Sequence, residues 1–97
     1  MSSLTEAQKE RLVKLIEECS EIQKVACKIL LWGYDSVNPY APQDGTNLNQ
    51  LQLEMGDYDA IFALMANNGD IDVEAVNERH HKKYQILPQF LHEGHEF

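Results

Sequence analysis

The sequence predicts an all-α fold, on three observations. Apolar residues recur at three- and four-residue steps through two long stretches and one shorter one. Glycine, proline and asparagine cluster between those stretches. No segment shows the apolar–polar alternation of a half-buried strand. The expected architecture is two long antiparallel helices plus a shorter third helix, forming a four-helix-type bundle through homo-oligomerisation. A chain of 97 residues buries only about two-thirds of its unfolded surface when it folds alone, so packing against a second copy would add core. Residues 1–97 are expected to form a single helical domain, with an inter-helix loop at 34–46 and a loosely held tail at 89–97.

Each element has its own signal. Ser3-Leu4-Thr5-Glu6 reads as a capping box, and Leu12, Leu15, Ile16, Cys19, Ile22, Ala26, Ile29 and Leu30 follow at helical spacing. Gly33 is a natural stop, so the first helix is expected over residues 4–32. Val13 and Val25 fall off its main stripe, which implies contact on more than one side. Pro39, Pro42 and Asp44-Gly45 mark a loop. Asn47 with Gln50 signals a second helix start, and Leu48, Leu51, Met55, Tyr58, Phe62 and Met65 form its stripe up to Asn67-Asn68-Gly69. Asp72 caps a third helix whose expected buried face is Val73, Val76, His80, Tyr84 and Leu87, ending near Pro88.

Composition excludes several classes. Sixteen acidic residues against eight basic ones give a net charge of −8. That argues against a groove for nucleic acid polymers and against attraction to anionic membranes. No apolar run is long enough to span a bilayer, and the opening residues lack the apolar core of a signal peptide. Cys19 and Cys27, on one helix about 12 Å apart, lie beyond the roughly 7 Å reach of a disulfide. They are expected to be reduced core residues of a cytoplasmic protein.

The acids themselves carry a pattern. Glu17-Glu18-Cys19-Ser20-Glu21 holds two acids three residues apart, Glu18 and Glu21, and Glu54-Met55-Gly56-Asp57 holds a second such pair. A shift of 36 residues lays Leu12 on Leu48, Leu15 on Leu51, Glu18 on Glu54, Glu21 on Asp57 and Gly33 on Gly69. Amphipathicity alone does not place acids in equivalent positions. Residues i and i+3 share a helix face, and Glu18 and Glu54 each sit about 80° from the centre of their apolar stripe, at the border of the core. Packed side by side, the helices would converge four carboxylates. Two like charges 4 Å apart repel by about 4 kcal/mol at an effective dielectric of 20, and a divalent cation relieves that cost. Oxygen donors without cysteine suit a hard ion, Mg²⁺ or Mn²⁺. Mg²⁺ favours a shell shared with substrate phosphates.

Glu-Glu-x-x-Glu on one helix followed by Glu-x-x-Asp on the next resembles the MazG-like all-α nucleoside triphosphate pyrophosphohydrolases. The resemblance runs over residues 12–87 and includes the capped third helix with Lys82-Lys83-Tyr84. It implies that Glu18, Glu21, Glu54 and Asp57 are metal ligands for Mg²⁺, with Mn²⁺ as a substitute, and that Glu17 has a supporting role. It also implies cleavage of a nucleoside triphosphate between the α and β phosphates, in a homodimer or homotetramer. The insert at 34–46 departs from the family pattern.

Within that expectation Glu18 and Glu21 are the candidates to accept a proton from water, and Lys82 and Lys83 are candidate phosphate contacts. Lys14 and Lys28 are expected to be exposed partners of nearby acids. A base needs an apolar or aromatic wall. Trp32, Tyr34 and Tyr40 lie where they can supply one, although Trp32 and Tyr58 are expected in the core, and base-binding residues stay unassigned. A di-iron centre needs two Glu-x-x-His motifs. Glu78-Arg79-His80-His81 supplies one, and no second exists. His92 and His95 flank Gly94, which suits a tail better than a ligand pair. The alternative function is a non-catalytic helical oligomeric module that binds metal or nucleotide.

Overall fold

The computed structural model describes residues 3–96. Met1 and Ser2, part of the stretch read for a signal peptide, and Phe97, the end of the expected tail, lie outside the described residues. Three helices account for the fold: α1 (Glu6–Trp32), α2 (Asn47–Asn67) and α3 (Val73–Ile86). The sole strand-like feature among the described residues is an isolated bridge between Val37 and Thr46 inside the loop.

The start of α1 differs from expectation by one capping register. Thr5, not Ser3, is the cap. Its hydroxyl accepts the Gln8 N–H at 3.0 Å, and the Gln8 side chain accepts the Thr5 N–H at 2.8 Å. Threonine followed three residues later by glutamine satisfies two orphan donors reciprocally, just as Ser3 and Glu6 would have done two residues earlier. The helix ends where expected. Gly33 adopts φ 87° and ψ 168°, a region essentially reserved for glycine, and its N–H closes onto Ile29 at 2.7 Å.

The cap of α2 lies one residue earlier than expected. Thr46 caps it by accepting the Asn49 N–H at 3.2 Å, and Asn47 is the first helical residue. The Asn47 and Leu48 N–H groups, orphaned at a helix start, donate to the Ser36 and Tyr34 carbonyls at 2.9 Å each. The buried Asn47 side chain donates to the Gly33 carbonyl at 3.1 Å. The 34–46 loop is therefore tied to both helix ends.

Contacts at both ends establish that α1 and α2 are antiparallel. Gly33 meets Asn47 at one end. At the other, Arg11 holds Asp70, in the turn after α2, through Nε–Oδ2 at 2.5 Å and Nη2–Oδ1 at 3.0 Å. Both side chains are largely covered, at 15% and 11% exposure. The Arg11 hydrogen bonds hold the Asp70 carboxyl below the usual carboxylate range.

The hairpin core is thin. Val25, Ile61 and Met65 are its buried apolar residues. Val25, which the periodicity set aside from the main stripe, is 5% exposed, whereas Leu30 on that stripe is 87% exposed. Cys19 and Cys27 are free thiols, as expected, but exposed rather than in the core. Trp32 and Tyr58 are likewise exposed. α3, capped by Asp72 as the sequence indicates, packs mainly on the following Leu87–Phe90 turn, which contains Pro88. Its expected buried face is not buried within this chain: Val73, Val76, His80 and Tyr84 are exposed and Leu87 is half-buried. The stripes record faces able to bury apolar surface, and the hairpin covers only part of them.

Candidate metal centre and adjoining cleft

The antiparallel register brings the acid motifs together at mid-hairpin. Glu18, from α1, and Glu54 and Asp57, from α2, offer carboxylate oxygens that all lie within 4.8 Å of one another. Among the described residues this is the one group of three or more histidine, cysteine or acidic side chains so arranged. Glu18 and Glu54 are half-buried and Asp57 is exposed, in keeping with a border position between core and solvent.

Glu21 lies outside the tight trio, yet it belongs to the same electrostatic neighbourhood. The Glu54 carboxyl is pushed above its ordinary range, first by burial and then by the charges of Asp57, Glu21 and Glu18; Lys24 acts in the opposite direction. The donor set fits a hard divalent cation in kind: carboxylate oxygens only, from two helices, open to water on the Asp57 side. Glu17 is exposed, and its carboxylate accepts from Lys14 Nζ at 2.9 Å. Lys14 is thus the ion-pair partner the sequence suggested.

The remaining sequence candidates sit elsewhere. Lys82 pairs with Glu78 at 3.4 Å, and Lys83 lies over the Phe90 ring at 4.6 Å from its centroid. Both belong to α3, and neither lines the cleft beside the acids. His81, the histidine of the Glu-x-x-His read for the di-iron alternative, meets the His80 ring edge-on at 5.4 Å between centroids, and His80 in turn stacks on Tyr84 at 6.0 Å.

A cleft of about 560 Å³ adjoins the carboxylates, with Glu21 and Glu54 in its wall. The second half of α1, the 34–46 loop and the first turns of α2 enclose it. Lys24, Lys28, Trp32 and Tyr40 line it, with amide side chains of Asn38 and Asn47. The 34–46 loop is what closes this space. Lys28 was expected to pair with an acid, but meets none at ion-pair distance among the described residues. A signal for Lys24 and Lys28 exists in the sequence: they follow Glu21 at steps of three and four, on the edge of α1 that carries the acids. Trp32 continues that line.

No protein-family profile, curated protein or solved structure matches the chain.

Proposed function

We propose that the chain is a Mg²⁺-dependent nucleoside triphosphate pyrophosphohydrolase of the MazG-like kind, releasing a nucleoside monophosphate and pyrophosphate. The observation that carries this reading is the meeting of Glu18, Glu54 and Asp57 within 4.8 Å, from the two motifs whose order and spacing resemble that family. An anionic cluster in an anionic protein is unfavourable until a cation fills it, and a cation so held recruits phosphate oxygens.

Glu18, Glu54 and Asp57 would hold the metal. When bound, Mg²⁺ supplies charge neutralisation on the phosphates and lowers the pKa of a bound water. Glu21, outside the trio but facing it, is the carboxylate left to accept the proton as the water oxygen bonds to the α-phosphorus. The bond from that phosphorus to the bridging oxygen breaks, and pyrophosphate leaves. Mn²⁺ would substitute for Mg²⁺.

The same reading includes a homo-oligomer in the cytoplasm. The chain exposes 7933 Å², against about 5,700 Å² for a folded monomer of this mass. Its radius of gyration is 16.7 Å, against about 12.5 Å for a compact domain of this length. The excess of about 2,300 Å² is in the range that one subunit contributes to an obligate homodimer interface. A 14-residue helix is marginal in water without tertiary packing, and a second copy supplies what the hairpin does not. No helix among the described residues is long and apolar enough to cross a membrane.

The test is incubation with Mg²⁺ and a panel of canonical and modified nucleoside triphosphates, with both products followed. Monophosphate and pyrophosphate in equal amounts are expected. Orthophosphate with diphosphate would refute α–β cleavage. Tight nucleotide binding with no turnover of any triphosphate would favour the non-catalytic module.

A further inference from the structure

We propose that the cleft beside the carboxylates is a nucleotide-recognition subsite, in which Lys24 and Lys28 contact the sugar-linked phosphate and Trp32 and Tyr40 form the wall for the base. This inference rests on the nucleotide reading above and adds to it the residues that select the ligand. Three observations carry it.

The first is the unpaired cations. In a chain with twice as many acids as bases, ion-pair partners are abundant. Lys9, Arg11, Lys14 and Lys82 each have one. Of the other four cations, Arg79 and Lys83 lie on α3, and Lys24 and Lys28 line the cleft with no ion pair among the described residues, Lys28 half-buried. Glu21, Asp44 and Glu54 share the lining, yet none closes to ion-pair distance on the half-buried Lys28 ammonium, which keeps its donors for an anion.

The second is the order of chemistry along α1. Glu21, Lys24, Lys28 and Trp32 succeed one another at three- and four-residue steps, spanning about 16 Å of helix axis. Carboxylate, ammonium, ammonium and indole follow in the sequence in which a metal-bound nucleotide presents metal, phosphate and base. The β and γ phosphates then lie toward the acids.

The third is the wall itself. Trp32 is 64% exposed and Tyr40 more so, so neither ring is committed to the core, and both line the cleft. Planar bases stack on such rings, each worth about 1–3 kcal/mol where measured by truncation. The 34–46 loop that carries Tyr40 is anchored to α2 through Ser36, Tyr34 and Asp44 carbonyls, which gives the wall a fixed position.

Trp32 is the only tryptophan in the chain, so its fluorescence reports this cleft and no other. The experiment titrates the metal-free protein with ribo- and deoxyribonucleoside 5′-monophosphates, with the matching nucleosides and with tripolyphosphate. A saturable change of Trp32 emission is expected with at least one monophosphate, at least tenfold weaker with its nucleoside, and absent with tripolyphosphate. Lys28→Ala should weaken monophosphate binding about tenfold, the effect of one lost charge-assisted contact, and Lys28→Arg should restore most of it.

Silence of Trp32 toward every monophosphate, or equal affinity in Lys28→Ala, would overturn the inference. The two proposals fail separately. Saturable binding without turnover of any triphosphate leaves the cleft standing and removes the enzyme. Turnover with Trp32 silent and KM unchanged in Lys28→Ala does the reverse.

Discussion

Replacing Glu54 by glutamine should raise the stability of the metal-free protein while removing its response to metal. Glu54 shares a 4.8 Å neighbourhood with Glu18 and Asp57. At that separation two unit charges repel by about 3.5 kcal/mol at an effective dielectric of 20 and by about 0.9 kcal/mol in bulk water. The site is partly open, so solvent screening puts the net value near the lower figure. Two such pairs give a relief of about 1–2 kcal/mol on neutralising Glu54 with a side chain of the same shape. For a domain of this size each kcal/mol moves the melting temperature by about 4–8 °C, so Glu54→Gln should melt roughly 5–10 °C higher than the parent in the presence of a chelator.

Metal reverses the comparison. The parent gains stability by mass action, about 2.7 kcal/mol when Mg²⁺ stands at a hundred times its dissociation constant. Glu54→Gln, short of one charged donor, should gain little, and under the proposed function it should lose turnover. Thermal melts followed by helical circular dichroism, with chelator and with millimolar Mg²⁺, measure all three quantities. A lower melting temperature for Glu54→Gln without metal would mean that the carboxylate is structural. An equal Mg²⁺ shift in both proteins would refute the ligand assignment.

Four further outcomes are expected. Asp70, held below its unfolded value of about 3.9 by Arg11, contributes stability that is present above about pH 4. That contribution is lost as pH falls through the lower folded value, so Asp70→Asn should be less stable at neutral pH and show a flatter acid limb. Equal acid titrations of parent and variant would count against the clamp. Gly33→Ala meets no atom within 4 Å but forces alanine to φ 87°, a cost of about 1–3 kcal/mol that urea denaturation would register. Ile61→Ala, in the thin buried core, should cost about 2–5 kcal/mol by the same measurement. Sedimentation at micromolar concentration should find an oligomer, and Val76→Glu on the exposed face of α3 should dissociate it; a stable monomer in the parent would contradict the proposed assembly.

The three helices and the acids they carry follow from local patterns in the chain. Gly33 and Asp72 mark helix ends by local backbone and capping rules, which need no tertiary information. The acid spacing of Glu18, Glu21, Glu54 and Asp57 is likewise a property of helical periodicity, and the antiparallel register brings three of the four within ligand distance of each other. Tertiary structure decided what local rules leave degenerate. Thr5 and Ser3 offer equivalent caps, and the one used pairs with Gln8, whose side chain also reaches Asp70 in the turn after α2. An apolar stripe identifies a face that can be buried, not what buries it. Val25 therefore sits in the core while Leu30, Trp32 and the α3 stripe stand exposed. Which cations stay unpaired was also beyond the sequence. Lys14 and Lys28 read alike until the loop anchored by Asn47 folds over one of them, placing Lys28 in a cleft that is closed by residues far from it in the chain.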